Sequence, residues 1–183
     1  MSVLDIDILM SDYQENVILA KKFIEDNYSR LNPGALQFRE IDGEVVVDCD
    51  DELVCKNLDI MDLTNGKFRF GKVFVFDCSR CGKLISLKGA PRECNKFDCS
   101  CCGSLTSLEG VPEECVYFNC ACCYGLTSLK YAPEECVYFN CAFCYGLTSL
   151  NGAPRKCDVF KCLCCENLIS LDGAPKYYNK FIC

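Results

Sequence analysis

Residues 112–129 read PEECVYFNCACCYGLTSL and residues 133–150 read PEECVYFNCAFCYGLTSL, identical except that Cys122 is answered by Phe143. The offset between them is 21 residues. Outward from this pair, Ser-Leu returns at Ser86-Leu87, Ser107-Leu108, Ser128-Leu129, Ser149-Leu150 and Ser170-Leu171 with no drift in register. Each copy sits in a phrase L-x-S-L-x-G-x-P, with Tyr131 once in place of the glycine. A second phrase, Φ-x-x-F-x-C-x-x-C-x-x-L, recurs with the same period: Val73, Phe76, Cys78, Cys81 and Leu84 in the first copy, Cys157, Phe160, Cys162, Cys165 and Leu168 in the fifth. A sixth copy opens at Tyr178 and Phe181 and reaches Cys183.

F-x-C alternates like a short strand with its apolar side chains on one side, and the C-x-x-L that follows turns the chain away. The return phrase is too short for a long helix, and its Gly and Pro mark a turn, so the convex side is expected to be mostly non-helical. One coil cannot bury its own apolar face. Stacking makes a parallel sheet with strands about 4.8 Å apart, so six strands form a slab of roughly 25–30 Å.

The pattern resembles the leucine-rich repeat in its cysteine-containing form, with Phe and Cys in slots usually held by Leu. That resemblance spans Val73 to Cys183 and implies a leucine-rich-repeat solenoid built on a parallel β-sheet, with five full repeats and a sixth truncated strand over residues 73–183. Residues 1–72 hold only two cysteines and read as an N-terminal α+β cap over the first open coil. Ser11 with Gln14 is a capping box that predicts a helix over about 12–28, ended by Asn32-Pro33-Gly34. Strands are predicted over about 44–58, the stretch Leu53 to Leu58 as a degenerate first coil.

The whole chain has 183 residues, 20 Cys, no His, no Trp and a formal charge of −7. Half its residues are hydrophobic, enough for a core. Without His, the commonest general base and zinc ligand is missing, so no enzymatic activity and no cofactor are expected. An acidic balance argues against nucleic acid, whose binding needs clustered Lys and Arg. The opening MSVLDIDILM lacks a signal peptide's basic start, and the apolar runs are too short to span a bilayer, so cytoplasmic synthesis and no membrane span are expected.

Sorting the thiols by repeat position gives Cys94, Cys115, Cys136 and Cys157 in one column, with Tyr178 next in it. Cys78, Cys99, Cys120, Cys141, Cys162 and Cys183 form another, and Cys81, Cys102, Cys123, Cys144 and Cys165 a third. These fifteen are expected to pack as small core hydrophobes, the third column standing in for the Asn ladder that the resemblance implies. A fourth column, Cys101, Cys122 and Cys164, is interrupted by Arg80 and Phe143. Its middle-of-triplet position points it outward, and structural thiols, a Cys101–Cys122 or intermolecular disulfide, and a metal site all stay open.

Outward strand positions place Tyr117, Tyr138, Asn119 and Asn140 on the concave face, bordered by Tyr124, Tyr145 and Phe143, an aromatic and amide composition suited to partner binding. Near-duplication of the two coils explains the same residues without a function. Glu113, Glu114, Glu134 and Glu135 are expected on the convex side as a solvated face. At the other end the chain stops at Cys183 with a strand written and no capping unit after it. An edge carrying Phe181, Ile182 and Cys183 is therefore expected to pair with another chain or a second copy.

The 21-residue unit is similar to short leucine-rich repeats of large DNA viruses and some large phages, although their usual Asn-Asn-Gln before the Leu is here C-x-x-L. What this implies is a non-enzymatic interaction or structural scaffold, more finely a virion or minor-capsid-associated component. Two other readings stand beside it: a cysteine-rich zinc-binding protein and a host-directed effector or adaptor.

Overall fold

The computed structural model describes residues 3–30 and 32–183. Helix α1 (Val3–Asn27) leads into β1 (Tyr28–Arg30), a short 3₁₀ turn (Pro33–Ala35), β2 (Leu36–Ile41), and β3 (Glu44–Cys55). Then come β4 (Phe68–Asp77), β5 (Glu93–Asp98), β6 (Glu114–Asn119), β7 (Glu135–Asn140), β8 (Lys156–Lys161) and β9 (Lys180–Ile182). From β3 to β9 every neighbour pairs in parallel and in sequence order. The result is a parallel β-solenoid of about seven turns with an N-terminal helix, an architecture compatible with a leucine-rich-repeat-like solenoid. Among the described residues no helix follows Ala35.

The repeat columns become rails through the core. Phe76, Phe97, Phe118, Phe139 and Phe160 are all fully buried, and with Phe181 they form a continuous stack with ring centroids 5.3–5.7 Å apart and planes within 14° of parallel. Beside it runs a thiol rail: Cys102 donates to the Cys78 carbonyl at 3.2 Å, Cys123 to Cys99 at 3.2 Å, Cys144 to Cys120 at 3.1 Å, and Cys165 to Cys141 at 3.2 Å. Each thiol satisfies a buried carbonyl of the preceding coil. A leucine there would fill the space and leave that oxygen without this donor.

Where each strand ends, Arg80, Cys101, Cys122, Phe143 and Cys164 adopt the left-handed backbone conformation, with φ between 56 and 64°. This turns the chain inward while the amide still reaches the next coil, as in Cys101 N to Ala121 O at 2.8 Å and Cys122 N to Ala142 O at 2.8 Å. Non-glycine residues lose about 1–2 kcal/mol there. Arg80 is exposed and its side chain bonds none of the described residues, so Arg80→Gly should relieve that cost and, after the entropy of an unfolded glycine, stabilise the protein by about 0.5–1 kcal/mol. A denaturation midpoint that stays put or falls would show that the surrounding coil already compensates the strain.

The cap differs in detail from the sequence reading. Helix α1 begins at Val3 rather than near residue 12, because the apolar pattern of the opening segment continues the helix N-terminally past Ser11, whose side chain lies outside the described ones. It ends at Asn27, ahead of the Asn32-Pro33-Gly34 signal, because Tyr28–Arg30 peels off to pair with β3. The region 44–58 holds one long strand, β3, paired in parallel with β4 and flanked on its outer edge by β1 and β2, both antiparallel. Tyr28 is buried, donates its hydroxyl to the Leu63 carbonyl at 2.9 Å, and meets Phe70 and Phe76 at 5.6 Å, which ties the helix to the phenylalanine stack. Asp48, also buried, accepts from the Arg39 guanidinium and from the Lys72 amide at 2.7 Å. These donors hold its carboxyl below the usual range against the opposing effect of its burial. Gly71 admits it: a Cβ there would sit 2.2 Å from its Oδ1.

Candidate functional site

The concave face carries Tyr117 on β6 and Tyr138 on β7 in register, part-exposed and stacked at 4.3 Å with planes 2° apart. Lys96 lies over the Tyr117 ring at 5.4 Å and Lys161 over the Tyr138 ring at 5.1 Å. A cation–aromatic–aromatic–cation row thus crosses four successive strands, with each ammonium drawn to a negative ring face. Burial, and then the neighbouring Tyr138, push the Tyr117 phenol up to about 12, so the Tyr117 hydroxyl is a neutral donor at physiological pH. Val75, Val159 and the stem of Lys180 extend the same outward column.

Asn119 and Asn140 stand in the next column, but their side chains are engaged. The Asn119 amide oxygen accepts from Ala121 N at 3.2 Å and its nitrogen donates to Asp98 at 3.0 Å, while Asn140 accepts from Ala142 N at 3.1 Å. Asp77 and Asp98 bond Ser79 N and Ser100 N in the same way. Asp and Asn recur here because their side chains satisfy the amide two residues on. Tyr124 and Tyr145 stack at 5.2 Å and, with Phe143, belong to the turn after the strand; all three are well exposed.

Cys101 and Cys164 are exposed and Cys122 half-buried, whereas the cysteines flanking them in each triplet are buried. Cys101 and Cys122 occupy the same position of adjacent coils, and burial followed by the neighbouring Cys101 raises the Cys122 thiol. Cys164 is separated from them by the coil that carries Phe143. Among the described residues no three His, Cys, Asp or Glu side chains group to hold a metal ion.

At the C-terminal end two residues depart from their columns. Tyr178 is 54% exposed and Cys183 is exposed, since β9 has only β8 beside it and no further coil covers its outer side among the described residues. Phe181 and Ile182 are half-buried, and Ile169, Leu171 and Tyr177 are exposed beside them.

Repeat position alone did not reveal a groove of about 2600 Å³ along the strand starts. Val116 and Val137, one residue into each strand's outward side, are about half exposed in it, and Glu113, Glu114, Glu134 and Glu135 line it rather than a featureless convex face. The duplicated Pro-Glu-Glu before the strand is the sequence signal that marks this edge.

No family model matches this chain, and no curated protein or solved structure matches it. No helix among the described residues is long and apolar enough to cross a membrane.

Proposed function

We propose that the protein is a non-enzymatic interaction scaffold that binds a partner protein on the concave face of its sheet. The row Lys96, Tyr117, Tyr138, Lys161 carries this reading. Stacked, part-exposed tyrosines pre-ordered by flanking lysines offer large contact area at low entropy cost, and aromatic anchors of this kind dominate interface energetics. The exposed Ile169, Leu171 and Tyr177 beside β9 support a second contact at that edge, where unpaired strand groups accept an added strand. On the resemblance of its 21-residue unit to viral repeats, we extend the reading to a virion or minor-capsid-associated component.

The test is site-specific photocrosslinking in the native source, with the probe at Tyr138, at Ile169, or at exposed Glu40 on β2 as control. Adducts to a defined partner should form from Tyr138 and Ile169 and be absent from Glu40. Adducts from Glu40 at equal yield, or none from Tyr138, would remove the concave face from the function.

A further inference from the structure

The groove along the strand starts has a chemistry of its own. Nine acidic and four basic side chains line it, and of the acids only Glu44 and Glu93 have an ion-pair partner among the described residues, Arg69 at 2.8 Å and Lys72 at 3.9 Å. Glu113, Glu114, Glu134 and Glu135 repeat on two adjacent coils as an unneutralised rim. Between the coils lie apolar groups that face water: Val116 is 47% exposed, Val137 50% and Ile85 54%. One wall is built by the cap, because β3 and β4 are twelve and ten residues long against six in β5 to β8, and the extra residues of β4 bring Phe68 and Arg69 to the groove.

We infer that this groove binds a peptide segment of a partner protein in which lysines or arginines flank aliphatic side chains. The inference rests on the scaffold reading and names the partner's chemistry at a second surface. Charge complementarity selects a cationic occupant, since a neutral or acidic one would meet an unpaired anionic rim. The exposed aliphatic floor selects against a bare cation, because polyamines and metal ions leave Val116, Val137 and Ile85 in water. No three of the carboxylates are grouped for a metal among the described residues. A peptide that places aliphatic side chains on the floor and ammonium groups at the rim satisfies both features at once.

The experiment uses the full chain and two synthetic twelve-residue probes of equal charge, one alternating Lys and Leu, the other Lys and Ser, with binding read by fluorescence anisotropy at 0.15 M salt. The Lys-Leu probe should bind at least about tenfold tighter than the Lys-Ser probe. Replacing Glu113, Glu114, Glu134 and Glu135 together by Gln should weaken it by at least about tenfold, and Val116→Ser with Val137→Ser should abolish the preference for Leu over Ser. All six positions are surface-exposed, so the fold is retained and is checked by circular dichroism. Equal binding of both probes, or unchanged binding by either variant, would overturn the proposal. Tyr117→Ala with Tyr138→Ala should leave probe binding unchanged. If it alone abolishes binding, the groove assignment fails and the concave-face reading stands; if the probes bind as expected but crosslinks never form from Tyr138, the reverse holds.

Discussion

Raising the pH from 7 to 10 under reducing conditions is expected to remove several kcal/mol of stability, a large share of the about 5–15 kcal/mol that holds an ordinary domain folded. The cause is the thiol core. Burial pushes the Cys115 thiol up to about 11 and, with the nearby Cys115, the Cys94 thiol up to about 12. Cys78, Cys99, Cys120 and Cys141 go further still, each beside a thiol of the following coil and fully enclosed. A thiol is neutral when protonated, so a raised folded value means that the native state keeps protons the unfolded chain releases above its ordinary 9.0. Stability is then fully present below about pH 9 and falls as pH rises toward the folded values. Each such group forfeits on the order of 1 kcal/mol by pH 10. Seven thiols are raised in this way, Cys162 by its burial and then by Cys183, whereas Cys165, held down to about 7 by the neighbouring Cys141 thiol, acts in the opposite sense because its anion is favoured in the folded state. Cys55 and Cys157 are lowered by the thiols of Cys81 and Cys136, which are raised in turn, so within each of those two pairs the thiols act in opposite senses. Urea titrations at pH 7.5, 8.5, 9.5 and 10 read the slope directly. An unfolding free energy that stays within about 1 kcal/mol over that range would mean that the thiols are not enclosed as their columns place them.

What the repeat made legible is what one residue per coil decides. Phe97, Phe118 and Phe139 share a phase of the 21-residue period, so their common burial and stacking follow from the pattern, and so does the inward position of Cys102, Cys123 and Cys144. A column specifies which way a side chain faces, not what its polar atoms do. Asn119 and Asn140 face the concave side as their phase requires, yet their amides bond the backbone two residues on, a local competition that periodicity does not encode. The left-handed turn at Arg80, Cys101 and Phe143 was equally hidden, since residues of three different types occupy it where glycine would have signalled it. Tyr178 and Cys183 obey the pattern in sequence but lack the neighbouring coil that would bury them. In the cap no period exists to read. The pairing of Tyr28–Arg30 with β3, which ends α1 at Asn27, goes with long-range packing of Tyr28 against Phe70 and Phe76.

Truncating the stack at its centre should cost more than at its end, and should do so unevenly along the chain. Phe118 is fully buried between Phe97 at 5.7 Å and Phe139 at 5.3 Å, so Phe118→Ala removes a ring from both sides and leaves a cavity that rigid neighbouring coils cannot close. A loss of about 3–5 kcal/mol is expected. Phe181 stacks on Phe160 on one side only, with Tyr178 tilted against it, and is half-buried at the rim of the core, so Phe181→Ala should cost about 1 kcal/mol, mostly through the ring surface it had removed from water. In a solenoid each coil is held by its two neighbours, and weakening one interface uncouples the coils on either side of it. The N-terminal side of Phe118 keeps the cap, where Phe68, Phe70 and Tyr28 extend the aromatic packing, while the C-terminal side keeps only β7, β8 and the three-residue β9. Hydrogen exchange of Phe118→Ala should therefore show the amides of β7 to β9 opening well before those of β3 to β5, a separation absent from the unsubstituted protein. Uniform acceleration along the whole sheet would instead mean that the coils fold as a single cooperative block and that the stack couples them more tightly than nearest-neighbour contact implies.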